Sequence, residues 1–111
     1  MLLSACGASP VEAPLAEEAA IERGKAAAER LGCGACHDMP GVDWPKGRTG
    51  PSLAGFGDRA LIAGSLPNRT ARLAEFVRDA PALVPESGMP PVPMQDGEAR
   101  DIAAWLSSLR D

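Results

Sequence analysis

Two thiols and an imidazole fall within five residues, Cys33-Gly34-Ala35-Cys36-His37, and this cluster limits the fold more than any other feature of the chain. Three kinds of site use such a cluster, and each demands a different surrounding chain. A redox dithiol belongs at a helix start in a βαβ unit, but no alternating apolar pattern marks a strand here. A tetrahedral structural zinc needs four ligands; beyond these three the chain offers only Cys6, since His37 is its single histidine. What remains is C-x-x-C-H as an attachment signature for c-type haem, in which each thiol adds to a vinyl group and the adjacent imidazole reaches the iron. Two residues between the cysteines match the separation of the vinyls, and Gly34 and Ala35 are small enough for the backbone to curl tightly.

The composition agrees with a buried cofactor. In 111 residues there are only two Trp and two Phe, beside 12 Gly and 11 Pro, so side chains alone would make a thin core for one small domain. A large flat apolar group supplies the missing buried surface. The net charge of −4 and the lack of a Lys/Arg cluster exclude a nucleic-acid partner. Residues 38–80 carry Lys46, Arg48, Arg59, Arg69, Arg72 and Arg78 against five acids. These cations either form a solvated mixed surface or face the cofactor's carboxylates or a partner. No constellation of acid, base and nucleophile suggests a separate catalytic activity, so the chain is not read as an enzyme.

At the N-terminus, Leu3-Ser4-Ala5-Cys6 resembles the lipobox at which bacterial lipoprotein precursors are cleaved and lipidated, although the usual basic and apolar stretches before it are missing. Cys6 is thus either a lipid attachment site or a free thiol in a tail. No stretch reaches the 18 or so apolar residues of a membrane-spanning helix. Residues 7–16, with Pro10 and Pro14 and no apolar periodicity, read as a flexible tether, leaving 17–111 as the domain.

Helix-forming residues predict a first helix over Glu17–Leu31, closed by Gly32. Five Gly and three Pro predict a long loop over 38–57. A short helix is expected over Asp58–Gly64, and another over Thr70–Asp79 with Thr70 as N-cap and Leu73, Phe76 and Val77 inward. Five prolines within 80–95 exclude a helix and leave a stiff extended loop. Ile102, Trp105, Leu106 and Leu109 fall at helical spacing within Asp96–Leu109, with acids in its first turn. The chain is therefore all-α, with three to four helices and long loops.

With one histidine, a monomer cannot hold its iron between two imidazoles. Methionine is the usual alternative in electron carriers, because a neutral thioether favours the ferrous state. Met39 follows His37 too closely to cross to the other haem face, which leaves Met89 and Met94, both in the proline-rich loop.

From Glu22 to Leu109 the chain resembles a class I cytochrome c. Gly24 resembles the family's small residue where the first and last helices cross, and Trp105 the aromatic packed there; Ala28 departs from the large aromatic of many relatives. Thr49-Gly50-Pro51-Ser52-Leu53 resembles the segment whose Pro carbonyl accepts a hydrogen bond from the axial His, implying that role for Pro51. Gly88-Met89-Pro90-Pro91 resembles the axial Met segment, implying His37 and Met89 as iron ligands. Residues 60–79 are most like small cytochrome c domains associated with haem-copper oxidase subunit II. By that resemblance Arg48 and Arg59 meet the haem propionates, and Leu53, Phe56, Ile62 and Phe76 line the pocket.

The resemblance implies one covalent haem c and a monomeric one-electron carrier. Its partner would be a membrane oxidase or reductase on the periplasmic side of a bacterial membrane. A haem-based ligand sensor and a subunit of a larger oxidase or dehydrogenase are the alternative expectations.

Overall fold

The computed structural model describes residues 12–111, with side chains from Pro14 onward. Cys6, and with it the lipobox reading, lies outside the described residues. Four helices follow in order: α1 over Glu12–Arg30, α2 over Thr70–Arg78, α3 over Ala80–Leu83 and α4 over Asp96–Ser108. Single 3-10 turns form at Cys33–Ala35 and Phe56–Asp58. The helical expectation holds, with corrections at four places.

Helix α1 begins at Glu12, so residues 12–16 are helical where a flexible tether was expected. Pro14 is tolerated there because first-turn amides have no intrahelical acceptor to lose. The end is as expected: Gly32 takes φ +80°, a conformation costly for any residue with a Cβ.

The expected helix over Asp58–Gly64 is absent. In its place a 3-10 turn leads into a two-stranded antiparallel hairpin, β1 (Leu61–Ile62) with β2 (Leu66–Pro67), paired Leu61 to Pro67 and Ile62 to Leu66. Ala63 at φ +52° and Gly64 at φ +75° close its tip, with the Ser65 amide donating to the Ile62 carbonyl. Two-residue strands are too short to show alternation, which is why the pattern was invisible in the sequence.

Residues 80–95 are not wholly extended. Pro81 sits in the first turn of α3, the one place where a helix accepts proline. Thr70 is the first helical residue of α2 rather than its cap, which is Arg69.

Helix α4 packs against α1 and α2. Its buried face, Ala99, Ile102, Ala103, Trp105 and Leu106, follows the periodicity of the sequence, and each large apolar side chain contributes roughly 1.5–3 kcal/mol by leaving water. The crossing with α1 is at Gly24, where an added Cβ would lie 1.9 Å from the Asp101 carbonyl oxygen. Ala28, one turn later, is fully buried. Arg23–Asp101 and Arg30–Glu98 ion pairs flank the crossing. Such exposed pairs are screened by solvent and add little to the buried contacts of the crossing.

The C-terminal residues are tied back to the 3-10 turn. The Gly57 amide donates to the Leu109 carbonyl at 2.7 Å, and Asp58 accepts from Arg110 at 2.9 Å and from the Asp111 amide at 2.8 Å. The Asp111 amide first, and then Arg110, hold the Asp58 carboxyl below its ordinary range. A depressed folded-state value contributes stability above the unfolded carboxylate range, and that stability is lost as pH falls through the folded value. Asp58→Asn is therefore expected to lower the melting temperature near neutrality, with the gap to wild type closing in acid. Thermal melts of both proteins across pH check this.

Candidate haem site

The sequence from Gly32 to His37 folds as a tight turn because each of its bonds is local. The His37 amide donates to the Cys33 carbonyl at 3.0 Å, and the Ala35 amide to the Gly32 carbonyl at 3.0 Å. The following loop is layered against this turn. The amides of Gly47 and Gly50 donate to the carbonyls of Gly34 and Cys36 at 2.9 and 2.6 Å, and the Leu53 amide donates to the Asp38 carbonyl at 2.9 Å. Two of the loop's glycines are required by contact: a Cβ at Gly47 would lie 2.3 Å from the Ala35 oxygen, and one at Gly50 would lie 2.4 Å from Cε1 of His37.

These bonds set the histidine. Nδ1 of His37 lies 2.7 Å from the Pro51 carbonyl oxygen. A carbonyl only accepts, so Nδ1 carries the proton and Nε2 keeps the lone pair that a metal takes. Pro51 thus makes the contact that the resemblance implied for it.

Beside this turn lies a cavity of about 680 Å³, within the size range of cofactor pockets. Cys33, Cys36 and His37 line it, together with Pro51, Leu53, Phe56, Ile62 and Phe76 from the expected set. Burial pushes the Cys33 thiol up from its ordinary value, so an unmodified Cys33 stays protonated at neutral pH. Met89 and Met94 both reach the cavity. Met39 does not; it is buried behind the turn, its methyl 3.3 Å from where a Gly34 Cβ would be.

The two arginines separate. Arg59 is the single cation among the described lining residues, held by donation to the Ser52 carbonyl at 2.6 Å and by its position 5.2 Å from the Phe56 ring centroid. Arg48 is exposed and is not among the residues that line the cavity, although the next two residues, Thr49 and Gly50, are.

Several walls were not named as site residues. Ala28 comes from α1 and Leu31 from the turn just after it, Ile102, Trp105 and Leu106 from α4, and Leu61, Ala63 and Gly64 from the hairpin. The periodicity of α4 marked the first of its faces as buried but not as a cofactor wall. Nothing in a two-residue strand could have marked the hairpin.

The donor set suits haem. Two thiols are placed for vinyl addition, one imidazole is fixed in the metal-binding tautomer, and thioethers share the same apolar enclosure. A haem c bound here would be held by Cys33, Cys36 and His37, with Arg59 as a cationic partner for its carboxylates.

Comparison with known proteins agrees with this geometry. The chain is 31% identical over 94 residues to "Cytochrome c oxidase subunit 2" of Alkalihalophilus pseudofirmus, covering 84% of this chain and 27% of that protein. It therefore spans about a quarter of the length of that relative. The family model described as "Cytochrome c" matches residues 21–110, and the chain belongs to the cytochrome c family, with covalently bound haem c as its cofactor and haem-based electron transfer as its function.

Proposed function

We propose that the domain exchanges single electrons with a membrane respiratory oxidase, its iron held between His37 and Met89. The observation that carries this reading is the shared cavity: a metal-ready imidazole and a methionine-bearing loop line one apolar enclosure. Haem c, when bound, supplies the one-electron couple. The chain's own residues do the rest. Pro51 orients the His37 ring, and the aliphatic and aromatic walls exclude water. A thioether ligand would raise the potential relative to a second imidazole.

Met89 is favoured over Met94 on packing. Met94 already packs against the hydrophobic core, one residue before the Gln95 cap of α4. Met89 is not part of that cluster, and its amide is held by the Ser87 hydroxyl at 3.1 Å. The loop is pinned further along, where the Val92 amide donates to the Arg78 carbonyl at 2.9 Å. A ligand on a stiff, pinned loop loses little entropy on binding.

An oxidase partner is supported by the likeness to an oxidase subunit. Covalent haem attachment is consistent with work on the periplasmic side of a bacterial membrane, with Cys6 as the lipid attachment point, and with no catalysis of its own. Absorption spectra of the holoprotein test the ligand set. The far-red band of Met-to-ferric-iron ligation should vanish in Met89→Ala and survive in Met94→Ala. Carbon monoxide should not bind the reduced wild type at neutral pH; binding there would replace the carrier reading with a ligand sensor.

A further inference from the structure

Arg59 supplies the cation of the cavity wall, yet regular structure does not place it. It is the residue at which the 3-10 turn gives way to extended chain, at φ −75° and ψ 137°. Its amide closes the turn by donating to the Phe56 carbonyl at 3.1 Å, and the residue is exposed. An exposed arginine at such a junction keeps much of its rotamer freedom unless something holds it. Here the guanidinium is held twice, by the Ser52 carbonyl at 2.6 Å and by the Phe56 ring, 5.2 Å away at its centroid. Both contacts last only while the backbone of residues 56–59 stays in place.

One side chain clamps that backbone. Nδ2 of Asn68 lies 2.9 Å from the Arg59 carbonyl oxygen and 3.3 Å from that of Phe56. Carbonyls only accept, so the side chain presents its NH2 end and donates to both. The Asn68 backbone amide adds a third bond, to the Ala60 carbonyl at 3.0 Å. The ring under the guanidinium and the residue that carries the guanidinium thus share one latch. Asn68 itself is half-buried between β2 and the Arg69 cap of α2, and it is not among the residues lining the cavity. The C-terminal residues hold the same turn from the α4 side, but through Gly57 and Asp58.

The imidazole is held separately. The Ser52 hydroxyl donates to the Asp38 carboxylate at 2.9 Å, and the Pro51 carbonyl accepts from His37 at 2.7 Å. Consecutive carbonyls of one segment, Pro51 and Ser52, therefore serve the imidazole and the guanidinium, while only the guanidinium is rooted in the backbone that Asn68 clamps.

From this arrangement we infer that Asn68 is a positioning residue for the cofactor's carboxylates: by fixing the carbonyls of Phe56 and Arg59 it keeps the guanidinium at the cavity wall and so helps set the midpoint potential. The inference rests on the reading of Arg59 as the carboxylates' cationic partner. One guanidinium N–H goes to Ser52, and the rest of the planar fork suits a carboxylate. Oxidation adds a positive charge at the iron, which a nearby cation opposes, so a fixed guanidinium raises the potential and a wandering, solvated one raises it less.

The test is the midpoint potential of the holoprotein, measured for wild type, Arg59→Ala, Asn68→Ala and the double variant. Arg59→Ala should lower the potential. Asn68→Ala should lower it in the same direction by at least half as much, with the absorption spectrum of the axial ligands unchanged. In the Arg59→Ala background, Asn68→Ala should add no further shift, because partners in one network are not additive. A merely structural role would lower the melting temperature in both backgrounds without this dependence of the potential on Arg59. Asn68→Ser, which keeps one donor, carries the same comparison if the alanine variant does not fold. An Asn68 variant with the wild-type potential, or one that shifts it equally with and without Arg59, would overturn the inference while leaving the role of Arg59 intact. An unshifted Arg59→Ala would overturn the reading of Arg59, and the role of Asn68 with it.

Discussion

Gly24→Ala is expected to destabilise the holoprotein by about 3 kcal/mol, and Gly24→Val to prevent folding, because overpacking against backbone has no cheap relief. An alanine methyl would lie 1.9 Å from the Asp101 oxygen, 2.4 Å from its carbonyl carbon and 2.9 Å from the Ile102 amide nitrogen. No rotamer change can clear those atoms, so the helices must separate, and the buried faces of Ile102, Trp105 and Leu106 would loosen together. Helix propensity alone makes the opposite forecast, a gain of about 1 kcal/mol for replacing an interior glycine by alanine. The sign of the measured change therefore decides between local propensity and the tertiary crossing. Gly97→Ala is the control: it lies in α4 with nothing within 4 Å of its added Cβ and should be neutral or stabilising. Denaturant unfolding of the three proteins gives the answer directly.

The second large effect is expected at Gly50, and it falls on the site rather than the fold. A Cβ there would lie 2.4 Å from Cε1, 2.6 Å from Nδ1 and 2.9 Å from Nε2 of His37. The ring must swing away, and the 2.7 Å bond to the Pro51 carbonyl breaks with it. That bond fixes both the tautomer and the aim of the ring, and losing such a partner typically costs 10–100-fold in metal affinity or activity. Gly50→Ala is therefore expected to attach haem through Cys33 and Cys36 while losing the normal low-spin spectrum. Electron transfer should fall by about 10–100-fold. A normal spectrum and rate would show that ring orientation is set elsewhere. Because the Gly50 amide also donates to the Cys36 carbonyl, melting temperature should be read alongside, to separate a moved ring from a loosened loop.

Both glycines illustrate what could be read in advance. Gly24 was legible only through resemblance to a family with a crossing at that place; its own neighbours in sequence are ordinary helix formers. The Pro51 contact was legible in the same way. The hairpin at 61–67, the short α3 and the corrected start of α1 were not, because each is decided by context. A two-residue strand has no period to detect, and a proline reads as a breaker until its position in the first turn is known. Arg48 and Arg59 look equivalent in the sequence, yet only Arg59 reaches the cavity. Arg59 follows a turn packed against α4, whereas Arg48 is an exposed residue of the loop bonded to the cysteine turn.

By itself the sequence determined the chemistry that is local. The spacing of Cys33, Cys36 and His37 within one turn carries the cofactor, and the periodicity of α4 carries a buried face, since both depend only on distances along the chain. The tertiary structure decided what depends on segments far apart. It chose which loop carbonyl holds the imidazole, which arginine meets the cavity, and which methionine is left free of the core.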